Sequence, residues 1–225
     1  SALFPPARPA TIAGVAEHPR RRGRFRVRLA DGRLLVVDAE TVAALPSRQA
    51  GAVLEDERLR ALEDNQRYVA TYDRALGALG RARRTRRELT QRLRRHEPDG
   101  ALVARVLDRL TALGLLDDAS AAEAEAAARL RRGEGPARVR QALARKGVAR
   151  GLIDTAVRSA GAAEAIDERA SCRAAAEKRW QALRALPPQV GRRRLTAYLA
   201  RRGFGAGVVR EVVRALLYEG VTGDD

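Results

Sequence analysis

Three stretches of this chain lie over one another without a gap: "RRTRRELTQRLRRHEPDGALVARVLDRL" from Arg83, "GEGPARVRQALARKGVARGLIDTAVRSA" from Gly133 and "QVGRRRLTAYLARRGFGAGVVREVVRAL" from Gln189. Leu89, Val139 and Leu195 share a column, as do Leu93, Leu143 and Leu199. Past a turn of constant length, Leu102, Leu152 and Val208 align, then Val103, Ile153 and Val209, then Leu107, Val157 and Val213. Amphipathic helices alone set the spacing within a helix. They do not hold one register across three separate turns.

Each copy therefore reads as a short helix, a tight turn and a second helix. A longer helix precedes each one, roughly over Asp64–Leu79, Asp118–Arg132 and Ala163–Leu183. No such unit buries its apolar stripe alone, so the pattern predicts tandem three-helix repeats stacked into an elongated, curved body. In "GLLDD", Leu115 and Leu116 are expected to pack, while Asp117 or Asp118 caps the following helix. A paired-carboxylate site is the competing reading, and capping at a helix start is the simpler one.

Ahead of the repeats the period changes. Phe25, Val27 and Leu29 alternate with Arg24, Arg26 and Arg28, and Asp31-Gly32 precedes "LLVV", which predicts a hairpin. A third strand near Thr11–Ala16 gives this sheet a buried face. Its arginine-rich face is most simply solvated, with a basic binding surface as the alternative. Asp38 should cap a short helix over Ala39–Leu45, ended by Pro46. The resulting division is a flexible 1–10, a small β-rich domain over 11–50, a connecting helix with repeat 1 over 54–115, repeat 2 over 116–161, repeat 3 over 162–219 and an acidic tail at 220–225.

The repeats also carry charge in register. Arg95, Arg145 and Arg201 fall in one column, followed by His96, Lys146 and Arg202, while Arg138 and Arg194 align where the first copy has Glu88. One cation per helix C-terminus would satisfy the helix dipole. The copies supply more, with Arg192 and Arg193 added in the third, so Arg95, Arg138, Arg145, Lys146, Arg192, Arg193, Arg194, Arg201 and Arg202 form the candidate partner-binding or DNA-binding set. Across the chain, 44 basic residues face 28 acidic ones for a net charge of +16, and only Lys146 and Lys178 are lysines. That excess predicts a polyanionic setting.

Other chemistries find little support. One cysteine, Cys172, excludes an internal disulfide, and with His18 and His96 as the only histidines no structural metal is expected. No Gly-Lys-Ser/Thr closes a phosphate loop, no Ser/His/Asp set is evident, and neither catalysis nor a cofactor is expected. The glycines of "RRGFGAGVV" invite a nucleotide-loop reading. Gly203 and Gly207 recur as Gly147 and Gly151, but Gly205 faces Ala149 and Asp99, so the shared element is a helix C-terminus and turn. Cys172 reads as small helix packing and Trp180 as a core or inter-repeat contact. No apolar run approaches the roughly 20 residues of a membrane span. The opening residues lack the apolar core expected of a signal peptide, and with no Met in the sequence, an initiator included, Ser1 is expected to follow processing or trimming. A soluble, cytoplasmic, nucleoid-associated monomer is expected.

On these residues the chain resembles the RecX family of bacterial regulators of the recombinase RecA. The resemblance rests on "RRELTQRL" followed by "GLLDD", on "RRGEGPARVRQALARKGV", and on "AAAEKRW" leading to "LTAYLARRGF". It covers about Asp64 to Leu217, and "RVRLADGRLLVVDAETV" is similar to the β-hairpin extension of some longer members. Two departures stand out: Ala121 follows "GLLDD" where the family commonly has an aromatic, and "RRHEPDGA" turns on Pro98-Asp99 without the basic-Gly pair of the other copies. The resemblance implies a non-enzymatic regulator of recombination, DNA repair and the SOS response. Such a regulator binds the RecA filament in its groove and limits filament extension, ATP hydrolysis, strand exchange and co-protease action. The residue-based alternative is a helix-turn-helix-like protein acting directly on DNA as a repressor or architectural factor.

Overall fold

The computed structural model describes residues 10–219. The expected flexible start, save Ala10, and the expected acidic tail lie outside the described residues. Strands β1 (Ala10–Glu17), β2 (Arg24–Leu29) and β3 (Leu34–Asp38) form the predicted antiparallel sheet, and a further strand, β4 (Val53–Leu54), extends it to the order β3-β2-β1-β4. β4 is two residues long and pairs Leu54 with Ala10 and Val53 with Thr11. Two residues hold no period, which is why the sequence reading ended the strands before it.

Val27 and Leu29 are fully buried, and with Ile12, Leu35, Val37 and Leu54 they cover one face of the sheet. The β2–β3 turn leaves three residues between Leu29 and Arg33, and only Gly32 takes the left-handed conformation, at φ +91°. Asp38 caps helix α1 (Ala39–Ala43) by accepting from the Thr41 N–H at 2.8 Å. Its second oxygen accepts from Asn65 at 2.8 Å, tying the cap to helix α2 (Asp56–Leu79). Helix α2 begins earlier than the repeat alignment suggests because its first turns, through Leu59 and Leu62, complete the sheet's core.

The remaining helices are α3 (Arg86–Leu93), α4 (Gly100–Ala112), α5 (Asp118–Arg131), α6 (Pro136–Arg145), α7 (Arg150–Ala163), α8 (Glu168–Trp180), α9 (Pro188–Arg201) and α10 (Ala206–Glu219). Three repeats follow: α2-α3-α4, α5-α6-α7 and α8-α9-α10. The aligned apolar columns land inside, except that Leu152 and Val208 of the Leu102 column are half-buried. Leu89, Leu93, Leu143, Leu195 and Leu199 show no exposed surface, and Val103, Val106 and Leu110 almost none. Repeats 2 and 3 each have their own apolar cluster, as expected of a nearest-neighbour solenoid.

The described chain divides into two compact units. One comprises the sheet and α2 up to Arg81 together with Thr90–Leu113; the other comprises Ala82–Leu89 together with the chain from Gly114 on. In the first, Asp99 caps α4 by accepting from the N–H groups of Ala101 and Leu102, so Pro98-Asp99 does the work of the missing glycine. In the second, Asp117 caps α5, accepting from Ala119 N–H at 2.9 Å. Asp118 instead reaches the Arg86 N–H at 2.6 Å, at the start of α3. Helix α5 forms without the aromatic at Ala121, which lines a cavity of about 230 Å³ with Ala124, Leu143 and Lys146.

Candidate functional site

Within the second unit the short helices meet end to end in a repeated joint. Thr85 opens α3 with a capping box: its N–H donates to Glu88 Oε2 at 3.0 Å, and the Glu88 N–H donates back to Thr85 Oγ1 at 3.2 Å. The Thr85 hydroxyl also donates to the Lys146 carbonyl, at the end of α6, at 2.8 Å. One repeat later the residue aligned with Thr85 is Gly135, and its N–H donates to the Arg202 carbonyl, at the end of α9, at 2.7 Å. Gly203 O accepts from Ala137 N–H in the same joint, at 3.0 Å. The starts of α3 and α6 thus each receive the end of the short helix in the next repeat.

Gly147 and Gly203 follow the accepting residues and take φ +78° and +86°, the left-handed cap expected of them. A Cβ on Gly203 or Gly135 would fall on the partner's backbone. These glycines permit close approach of two helices, and phosphate binding is not their role. Gly205, the odd glycine of "RRGFGAGVV", donates its N–H to Glu168 Oε1 at 2.8 Å, so the N-terminus of α10 already holds a carboxylate.

The candidate cations divide at these joints. Lys146 Nζ lies 3.0 Å from Glu125 and 3.1 Å from Glu88. Burial works against its charge, but the hydrogen bonds it donates to Glu125 and Glu88 outweigh that and hold its pKa above lysine's ordinary value. Arg202 donates to the Gly133 and Arg132 carbonyls and, at 3.0 Å, to the Tyr198 hydroxyl. Arg138 donates to the Arg201 carbonyl at 3.2 Å and pairs with Glu134 at 3.3 Å. All three are occupied in holding repeats together.

Arg95, Arg145, Arg192, Arg193, Arg194 and Arg201 are exposed, and among the described residues none of their side chains forms an ion pair. Arg145 and Arg201 occupy the same position at the ends of α6 and α9, and Arg95 the corresponding position after α3. Arg192, Arg193 and Arg194 lie on the first turns of α9. Arg145, Arg192, Arg193, Arg194 and Arg201 are the candidate functional residues of the second unit, and Arg95 is that of the first.

Several residues that matter were not legible as such. Glu97 stands where the other repeats have their turn glycine; it is almost fully buried and pairs with Arg67 at 2.6 Å. Its Arg67 hydrogen bonds hold its carboxyl below the ordinary range despite burial. Glu125, though burial opposes its charge, is held low by Lys146 and Arg129. The only available signal was an acid in a glycine column.

Cys172 is fully buried in the third repeat's core, and desolvation, with Glu168 adding to it, pushes its thiol up to about 11. Trp180 packs in the same cluster, its ring against Gly191, the third-repeat residue aligned with Thr85 and Gly135. Among the described residues no cluster of three or more His, Cys, Asp or Glu could hold a metal ion, and no helix is long and apolar enough to cross a membrane.

Comparison with known proteins agrees with this architecture repeat by repeat. Models of the first, second and third three-helix domains of RecX match residues 72–110, 117–157 and 167–213. The regulatory protein RecX of Thermobifida fusca is 42% identical over 151 residues, covering 66% of this chain and 80% of that protein. That of Chlorobaculum tepidum is 33% identical over 157 residues, covering 69% and 94%. A crystal structure of a regulatory protein RecX superposes with a TM-score of 0.74 over 90% of this chain and 98% of that one, at 21% identity. A RecX structure from Lactobacillus salivarius gives 0.59 over 67% and 96%, at 19% identity. Three family domains, in order and in register with three structural repeats, place this chain in the RecX family of regulatory proteins.

Proposed function

We propose that this protein binds the recombinase RecA and its nucleoprotein filament and restrains filament extension, ATP hydrolysis, strand exchange and co-protease action, as a non-enzymatic monomer at the nucleoid. The observation that carries the reading is the recurrence of Arg95, Arg145 and Arg201 at one exposed position of three family-matched repeats, while Lys146 and Arg202 beside them turn inward. A cation kept outward in each repeat, without an acidic partner among the described residues, suits a partner that is itself repetitive and negatively charged. Weak contacts from several repeats to one filament add through effective concentration, so no single contact need be strong. Arg192, Arg193 and Arg194 extend the surface in repeat 3.

The test is inhibition of the DNA-dependent ATPase of RecA filaments by the intact chain at substoichiometric ratios. Failure to bind or slow the filament would remove the proposal. A protein acting on DNA as a repressor would instead show tight binding to one duplex sequence. The outward residues are all arginine, suited to phosphates or carboxylates, and include no Asn or Gln to read a base edge.

A further inference from the structure

The first unit carries a second concentration of charge that the RecA reading does not use. From Arg20 to Arg28, six of nine residues are arginine and none is acidic. Two are committed inside the unit: Arg21 and Arg24 pair with Asp73 at 3.0 and 2.9 Å, and Arg24 also lies over the Tyr72 ring. Arg20, Arg22, Arg26 and Arg28 form no ion pair among the described residues.

Strand periodicity fixes where two of these point. Val27 and Leu29 are buried in the sheet's core, so Arg26 and Arg28 emerge on the opposite face. Across the strands their partners are Ala16 and Gly14 of β1 and Val36 and Leu34 of β3. Together with Ala13, Gly14, Ala16 and Leu34 they line a groove of about 230 Å³ that contains no acidic side chain. A Cβ on Gly14 would meet no atom within 4 Å, so the floor is bare backbone beneath open space.

We propose that this outer face of the β-sheet binds a nucleic-acid phosphate backbone without reading its sequence. Guanidinium groups stay charged and offer paired N–H donors that match phosphate oxygens. Residues two apart on a strand stand about 6.7 Å from one another, which lets Arg26 and Arg28 address neighbouring phosphates of one strand. The small residues of β1 let a sugar-phosphate chain approach the sheet closely. The groove has no aromatic to stack a base and no side-chain amide to read one, which makes the contact indifferent to sequence. An acidic protein partner would need a large central apolar or aromatic anchor, and beside its small alanines the groove offers Leu34 and Val15 but no aromatic.

The test uses the full chain and a fluorescein-labelled oligothymidylate, with anisotropy titrations over a series of salt concentrations. R26Q/R28Q should weaken binding about tenfold at low salt and lower the slope of log affinity against log salt by about 1.4, at about 0.7 for each phosphate no longer neutralised. Gly14→Glu, at a position with free space and ordinary φ, should weaken binding in the same direction by placing a carboxylate in the groove. Removing the third-repeat charges with R192Q/R193Q/R194Q should leave this difference between wild type and R26Q/R28Q in place. Unchanged affinity and slope in both sheet variants would overturn the proposal. So would variants that lose binding to an acidic peptide while keeping the oligonucleotide. Either result is independent of whether RecA is inhibited.

Discussion

The N–H of Gly135 donates to the carbonyl of Arg202 at 2.7 Å, joining the N-cap of one short helix to the C-cap of the next. The bond exists because neither Gly135 nor Gly203 has a Cβ: one on either would strike the other strand of the joint. The same joint one repeat earlier uses the Thr85 hydroxyl in place of the backbone N–H, reaching the Lys146 carbonyl at 2.8 Å. Repeats are thus joined by main chain and caps.

Gly135→Ala should therefore be costly. The added methyl meets backbone, which cannot swing aside, and an overpacking loss of about 2–3 kcal/mol is expected. Gly161→Ala, in α7 with nothing near its would-be Cβ, should instead stabilise by about 0.5–1 kcal/mol through helix propensity. Urea denaturation midpoints of the two variants against wild type check the contrast.

Thr85→Val keeps the volume of a buried side chain but removes the capping hydroxyl and the bond to Lys146. A loss of about 1–2 kcal/mol is expected in the same denaturation assay. A neutral result would mean that α3 is held by its apolar column alone.

Paired carboxylates inside the repeats and at their joints also set a pH response. Glu97 and Glu125 have carboxyls depressed in the folded state, so their contribution is complete above the unfolded value of about 4.3 and is lost as pH falls through the folded values. Lys146, raised when folded, contributes fully below about 10.4 and loses that contribution only as pH rises through its folded value. Wild-type stability should fall as pH drops below about 4.3, and Glu97→Gln with Glu125→Gln should start lower at pH 7 and flatten that fall. Melting temperatures between acid and neutral pH measure it.

Cys172, buried and with its thiol pushed up to about 11, should resist iodoacetamide at pH 8 in the folded protein and react once denatured. Fast labelling of the native chain would show that the third repeat opens readily.

The apolar columns made the repeats legible because a period of 3.6 and a constant turn length survive in a single sequence. Leu93, Leu143 and Leu199 are buried as their shared column requires. The hairpin, the Asp38 cap and a cap at Asp117 or Asp118 were legible for a similar reason: each is a local signal. Charge was different. Arg145 and Lys146 are adjacent and both cationic, yet one is exposed and the other lies between Glu88 and Glu125, residues 58 and 21 positions away in the chain. That division depends on which repeat's carboxylates come near, and a linear pattern of charge carries no trace of it. β4 escaped because its pairing partner, β1, supplies the reason for it to be a strand.

The outward cations can be separated from the joint cations in one experiment. RecA ATPase on single-stranded DNA is titrated with wild type, with Arg145→Glu/Arg201→Glu, and with Lys146→Met, each verified as folded by its melting transition. Charge reversal of the exposed pair should raise the concentration for half-inhibition about tenfold or more, while Lys146→Met should lower the melting temperature and leave inhibition nearly intact. Equal inhibition by wild type and Arg145→Glu/Arg201→Glu would contradict the account.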